Sequence, residues 1–279
     1  MGLRLLKKLA VSLATPLLFL GVWQIIALSI DNIIALPTVD KVFYILLNPT
    51  APLISLGSLL NNVMTSFSRV LVGYALAVFV AVPIGLAMGY KPLINQLFST
   101  FFGMFRPIPP LAWVPLVLAW FGITSLATFF PFDASPLFVH LRRLQLAMLF
   151  IIFMGAFFPI LTSTIHGVRN TRKTLLESAR TLGASEKDIM CKILIPAAAP
   201  SIVNGMRIGL GVAWMCLVSA EMLPGSVSGV GYVIMHAYSL ARTDIVIAGI
   251  ISIGLVGVLL DYSFRLLEHK KFSWVHKST

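Results

Sequence analysis

The sequence predicts an all-α integral membrane protein with six transmembrane helices and a polar loop between the fourth and fifth. Three observations carry this. Hydrophobic residues make up 58% of the chain and charged residues only 11%, whereas a soluble domain carries roughly 25% charged residues. Apolar windows recur at 10–30, 67–89, 97–122, 146–165, 199–221 and 244–265, each close to the ~20 residues that a bilayer-spanning helix needs. The basic residues collect on alternate sides of these windows, as the positive-inside rule requires.

The first window follows MGLRLLKK. Its length exceeds a usual signal-peptide core and no small-x-small cleavage site follows, so it is expected to be a retained span. Residues 1–60 are expected to form this span plus an external segment. The patch YILLNPTAPLISLGSLL within 31–66 carries an Asn and two prolines, which suit an external amphipathic piece better than a span. The transmembrane body would cover 61–265, with a polar loop at 166–198 and a tail at 266–279. The segment Thr124–Gln145, TSLATFFPFDASPLFVHLRRLQ, contains Pro131, Asp133, Pro136 and the Arg142-Arg143 pair. It reads as an external loop, a re-entrant piece or an amphipathic helix. Gly85 and Gly89 are spaced by four, as are Gly205 and Gly209, a pattern that lets membrane helices approach closely.

With the N-terminus inside, 14 of the 21 Lys and Arg fall in inner segments. Lys41, Arg69, Arg142, Arg143 and Arg242 form the outer group, and Arg106 and Arg207 fall within spans. This places both termini and the polar loop in the cytoplasm. The same topology accounts for the net charge of +11, and no basic stretch is interleaved with aromatics, so nucleic-acid binding is excluded as a reading. Cys191 lies in the polar loop and Cys216 in a span. They should sit at different depths and form no disulfide.

The loop reads ESARTLGASEKDIMCKILIP from Glu177 to Pro196. Thr174 followed three residues later by Glu177 is a capping-box pattern, predicting a short helix from about Leu175 to Leu182. Its apolar side would be Leu175, Ala179 and Leu182. Gly183 fits the left-handed residue that ends a helix. Ser185 ahead of Asp188 is a second N-cap signal, and the second helix should run to about Ile195. Pro196 would stop that run or open the next helix. Two short helices bent at Gly183 make a knob suited to docking. A capped surface loop with no partner is the plainer alternative.

This stretch resembles the EAA loop of ATP-binding-cassette (ABC) importer permeases: Glu-Ala-Ala, three residues, Gly, nine residues, then Ile-x-Leu-Pro. Here the pattern is Glu177-Ser178-Ala179, Gly183 and Ile193-Leu194-Ile195-Pro196. Ser178 and Ile195 are mild departures. The stretches Arg106–Ile123, Phe153–Val168 and Ser219–Ile234 are similar to the nitrate/sulfonate/taurine/bicarbonate permease group. In that group a short turn joins spans three and four, so 124–145 looks like an insertion.

The resemblance implies a MetI-like type I importer permease fold and passage of a small anion or oxyanion. It also implies several partners: an ATP-binding subunit dimer, a second permease copy, most simply as a homodimer, an extracytoplasmic solute-binding protein, and the lipid bilayer. No G-x-x-x-x-G-K-[ST] sequence occurs, so no P-loop is present. This chain should bind no cofactor and be no enzyme, with ATP and Mg²⁺ held by the partner ATPase. Glu177, Ser178, Ala179, Gly183, Ile193 and Pro196 are then the expected ATPase-coupling residues, with Glu177 either capping its helix or meeting a basic residue of the ATPase.

Intramembrane ionisable residues are expensive and mark paths or gates. Arg106 opens RPIPP, whose three prolines must break the helix. It is a path candidate, or it snorkels to the inner interface. Glu221 ends the fifth span and is a candidate gate or partner element on the path. Trp113 is a further path candidate, although packing or interface anchoring suits Trp113, Trp120 and Trp214 as well. The five His show no ligand spacing, so no metal site is expected. An ion-gradient-driven secondary transporter or channel is the alternative class. It predicts related halves, which are not apparent, and leaves the loop spacing unexplained. A membrane enzyme would need clustered His, Asp or Glu, and the acidic residues are scattered.

Overall fold

The computed structural model describes residues 2–129, 141–223 and 225–271. The described residues form a run of helices: α1 Gly2–Ile30, α2 Val39–Leu47, α3 Leu59–Tyr90, α4 Pro92–Phe105, α5 Val114–Phe121 and α6 Leu146–Arg169. Then follow α7 Lys173–Thr181, α8 Glu186–Glu221, α9 Val230–Ser239 and α10 Thr243–Lys271. No strand is present among the described residues.

Four helices, α3, α6, α8 and α10, are long and apolar enough to cross a membrane. The pair α4 and α5 would make a fifth span, but it is bent by 82° where the chain passes Arg106–Pro109. Pro107, Pro109 and Pro110 lack the N–H groups that a continuous helix would use, which is why the break falls there. The sixth expected span falls on α1. Its described apolar run, Ala14–Ile30, is shorter than a full span. By length and composition the structure therefore supports four or five spans among the described residues.

The centre of the molecule is the sandwich of α3, α6 and α8. Ala77, Ala81, Ile152, Ala156, Ile160, Ala213 and Leu217 are fully buried there. Small residues set how close these helices come. A Cβ on Gly85 would lie 2.7 Å from the Thr164 Cβ, and one on Gly205 only 2.3 Å from the Ser163 Cβ. The two four-residue glycine spacings thus face the same helix, α6, from opposite sides.

The amphipathic piece expected within 31–66 is α2. It buries Val42 and Ile45 against Leu53, Leu56 and Leu59 and against Val233 and Ala237 of α9 and Ile245 of α10. The Trp23 indole donates to the Pro37 carbonyl at 3.0 Å, and the Val39 N–H donates to Gln24 Oε1 at 2.8 Å. These bonds tie α2 to α1. Residues 124–145 leave and return at one point. Leu126 N–H donates to the Leu144 carbonyl and Leu146 N–H donates to the Thr124 carbonyl, both at 2.9 Å. Residues 130–140, the middle of the expected insertion, lie outside the described residues.

One basic residue is not where the charge count put it. Arg69, assigned to the outer group, lies within α3 and is fully buried. The helix begins at Leu59, before the apolar window does, because Ser58 caps it by accepting from the Asn61 N–H at 3.2 Å.

Candidate functional site

Three regions matter for function: a knob at one end of the bundle, a cleft at the broken span and a buried polar network around Glu221. In the knob, α7 follows α6 after only Asn170–Arg172. So short a connection starts α7 at Lys173, with Arg172 as N-cap and no side-chain cap bond. The expected Thr174–Glu177 capping box is therefore not formed. Thr174 is already inside the helix, where its carbonyl accepts from the Ser178 hydroxyl at 2.8 Å. The Glu177 carboxylate is left exposed, with no side-chain hydrogen bond or ion pair among the described residues.

The other end matches its signal. Gly183 has φ +79°. Ala184 N–H donates to the Ala179 carbonyl and Gly183 N–H to the Arg180 carbonyl, both at 3.0 Å, which is the Schellman arrangement. Ser185 then caps α8, accepting from the Asp188 N–H at 3.2 Å. Ser185→Ala should cost about 1 kcal/mol locally, visible as faster hydrogen exchange at residues 186–190 with the centre of α8 unchanged.

The second short helix is not separate. It is the first turns of α8, which runs unbroken over 36 residues. The turn Ile189–Leu194 is a π-helix just ahead of Pro196, and its wider turn accommodates the proline ring without ending the helix. The apolar side of α7 also differs from the expected one. Leu176, Ala179 and Ala184 pack on Val168, Ile189, Leu194, Ala198 and Ile202. Leu175 and Leu182 face outward, Leu182 at 87% exposure. The start at Lys173 fixes which side of the helix meets the bundle. Ile193 is half-buried, and Ser178 and Pro196 are exposed, as are Glu177 and Gly183. Arg180 adds a tether to α3: its guanidinium donates to the Tyr90 hydroxyl at 3.2 Å and lies 3.4 Å from the Glu186 carboxylate, to which Tyr90 also donates.

The structure separates the three path candidates. Arg106, at the end of α4, lines an open cleft of about 380 Å³ with Ile108 and Pro110, and with residues of α6 and α8. Trp113 is half-buried, stacked on Phe105 at 5.8 Å and edge-on to Phe150 at 6.3 Å. Its indole N–H is buried with no hydrogen-bond partner among the described residues. Glu221 is 1% exposed and faces Arg69 at 2.6 Å.

The Arg69–Glu221 pair is the centre of a network that sequence reasoning did not assemble. Ser66 hydroxyl approaches both carboxylate oxygens at 2.9 and 2.8 Å, and Gly231 N–H donates to Oε2 at 3.1 Å. The guanidinium also donates to the Ser228 carbonyl at 2.7 Å, to Ser228 Oγ at 3.0 Å and to the Arg143 carbonyl at 2.9 Å. Asn62 Oδ1 accepts from Gly229 N–H at 2.9 Å. Arg69 thus joins α3, the end of α8, the 222–229 loop and the neck of the 124–145 excursion. The available signal was an Arg only ten residues after the Leu59 start of an apolar helix. Arg207 is also paired, but partly exposed, 4.0 Å from Asp261 and 3.6 Å from Glu268 of α10. No group of three or more His, Cys, Asp or Glu suited to a metal occurs among the described residues.

A multi-pass helical bundle, a broken span beside a cleft and an exposed knob continuous with a span define a membrane transport subunit. The chain belongs to the family described as binding-protein-dependent transport system inner membrane component, whose model matches residues 73–273. It is 46% identical over 268 residues to a Methanocaldococcus jannaschii protein named for the ABC transporter permeases, covering 96% of this chain and 93% of that one. It is 29% identical over 270 residues to the taurine transport system permease protein TauC of Escherichia coli, covering 96% and 90%. Other relatives carry the names of aliphatic sulfonate, nitrate and bicarbonate permeases. The fold is similar to that of the MetNI methionine ABC transporter in an inward-facing conformation, with TM-score 0.56 and 16% identity over 75% of this chain and 95% of that chain.

Proposed function

We propose that this chain is the permease subunit of an ABC importer for a small anion or oxyanion, driven by a separate ATPase through the knob. The family and the anion-permease names of the relatives support the class and the cargo. The observation that carries the drive is the continuity of the knob with α8. The Schellman turn, the Ser185 cap and the base formed by Leu176 and Ala179 make it rigid. A load on Glu177, Ser178 or Leu182 therefore reaches the spans as movement of a rigid body rather than being absorbed in a loop.

In this reading Glu177, with no side-chain partner among the described residues, meets a basic group of the ATPase. Ser178, Ala179, Gly183, Ile193 and Pro196 shape the surface that docks. ATP and Mg²⁺ are held by the ATPase dimer, and two copies of this chain enclose the path. An extracytoplasmic binding protein delivers the anion. The knob and both termini are cytoplasmic in the cell membrane, and α1 and the α4–α5 pair complete six spans. Arg106 lines the path, Trp113 supports the wall near the break, and Glu221 holds the Arg69 network, a structural closure at the opposite end from the knob.

The test is reconstitution with the ATPase in liposomes. Glu177→Ala and Gly183→Val should lower ATP-driven anion uptake at least about tenfold. The valine adds roughly 1–2 kcal/mol of left-handed backbone strain, too little to unfold the subunit. Unchanged coupled uptake in both variants would sink the coupling role. Uptake by the chain without any ATPase would favour the gradient-driven alternative.

A further inference from the structure

A second concavity lies at the base of the knob, where the ends of α3 and α6 meet α7. It is an open recess of about 310 Å³, and three cations line it: Arg169, the last residue of α6, and Lys173 and Arg180 of α7. Lys173, Leu176, Glu177 and Arg180 all face it, because their spacing puts them on one stripe of the helix. Arg180 is partly engaged by Tyr90 and Glu186. Arg169 and Lys173 are exposed and make no side-chain hydrogen bond or ion pair among the described residues. Three cations against the single carboxylate of Glu177 leave the lining net positive. Its floor is apolar: Val168, Leu176 and Leu194 belong to the cluster that seats the knob. The positive-inside rule accounts for cations near a membrane surface, but not for their convergence on one hollow. It also leaves Lys173 unexplained in the first turn of α7, which holds no acidic residue. The helix dipole disfavours a cation at that end, and an anion in the recess offsets the penalty.

We propose that this recess binds a phosphate group, carried either by an anionic lipid head group or by a soluble phosphate. The proposal rests on the reading that the knob lies at the inner membrane surface, and it adds a ligand outside the transport path. The recess sits where two spans end, Tyr90 and Arg169 being the last residues of α3 and α6. That is the level at which head-group phosphates meet basic side chains. The Arg169 guanidinium offers a planar fork of N–H donors to phosphate oxygens, and Lys173 adds a compact charge. A phosphate held by both spans the link Asn170–Arg172 between α6 and α7. It fastens the knob to the end of α6 with charge-assisted hydrogen bonds. Occupancy therefore stiffens the element on which the coupling reading depends.

The test is hydrogen exchange of the purified full chain in dodecyl maltoside, a detergent without phosphate, read over residues 170–181. Inorganic phosphate and phosphatidylglycerol are titrated separately, with potassium chloride at matched ionic strength as the control for screening. One or both should slow exchange there by about threefold or more, saturably, with the centre of α6 unchanged. Protection by phosphatidylglycerol alone identifies a lipid ligand, and protection by inorganic phosphate a soluble one. Arg169→Gln/Lys173→Gln should abolish the protection, whereas Arg169→Lys/Lys173→Arg, which keeps both charges, should retain most of it. No protection by either phosphate, equal protection by chloride, or full protection of the glutamine variant overturns the proposal. ATP-driven uptake by the reconstituted complex is read separately. Uptake without protection removes only the recess, and protection without uptake removes only the transport reading.

Discussion

Glu221→Ala should destabilise the protein by about 3–5 kcal/mol, because it leaves the Arg69 guanidinium buried without its counter-charge. Both side chains are fully buried and 2.6 Å apart. The loss reaches beyond the pair. The 222–229 loop is held through Ser228 and Gly229, and the neck of the 124–145 excursion through the Arg143 carbonyl. Gly229 shows how closely the loop is fitted: its φ is +115°, and a Cβ there would lie 2.2 Å from Glu221 Oε1. Thermal unfolding of the purified protein in detergent should show a fall in midpoint of roughly 10 °C. The double variant Arg69→Met/Glu221→Met should recover much of it, since two apolar groups of similar size leave no buried charge. A fall of a degree or less for Glu221→Ala would show that the pair is not buried as described.

Gly205→Leu should be the next most damaging change, at about 3 kcal/mol. The first side-chain atom alone would sit 2.3 Å from the Ser163 Cβ and 3.2 Å from the Pro159 carbonyl. Neither can retreat, since both belong to α6, which is held on its other face by α3. The helices must separate, and the dispersion contacts along the whole α6–α8 seam weaken together. Gly211→Leu is the control. Six residues along the same helix, nothing lies within 4 Å of its added Cβ, and its effect should stay within about 0.5 kcal/mol. Comparing the two midpoints separates close packing from any general intolerance of leucine in α8. Equal shifts would mean that the seam is not tight.

These changes mark what could be read along the chain. The knob was legible in its second half: Gly183, the Ser185 cap and the polar composition are local signals, and each acts within a few residues of itself. Its first half was misread because Thr174 and Glu177 have the spacing of a cap, while the three-residue link from α6 starts the helix earlier. Pro196 takes the second of its two expected places, in the first turn of the α-helical stretch Ile195–Glu221, although the helix does not break ahead of it. Proline disrupts an α-helical turn, yet the π turn at Ile189–Leu194 offers a register that accepts it.

The candidate path was legible only at Arg106. An ionisable residue followed by three prolines announces a break wherever it occurs, and the break is where α4 meets α5. Ser163 and Thr162 carried no such signal, because hydroxyls are common in membrane helices and only the rotation of α6 decides which of them face the cleft. Arg69 and Glu221 lie 152 positions apart, and neither spacing nor hydropathy links them.

By itself the sequence determined that the protein is helical and embedded in a membrane, where its span breaks, and that it carries a polar knob with a glycine turn. Those features depend on hydropathy, proline geometry and capping, which act over one or two helical turns. Only the tertiary structure decided that Arg69 and Glu221 form one buried pair, that α7 presents Leu182 and Glu177 outward, and that Arg106 shares a cleft with Ser163. Each depends on the rotation and depth of one helix against another, and close packing through Gly85 and Gly205 sets both.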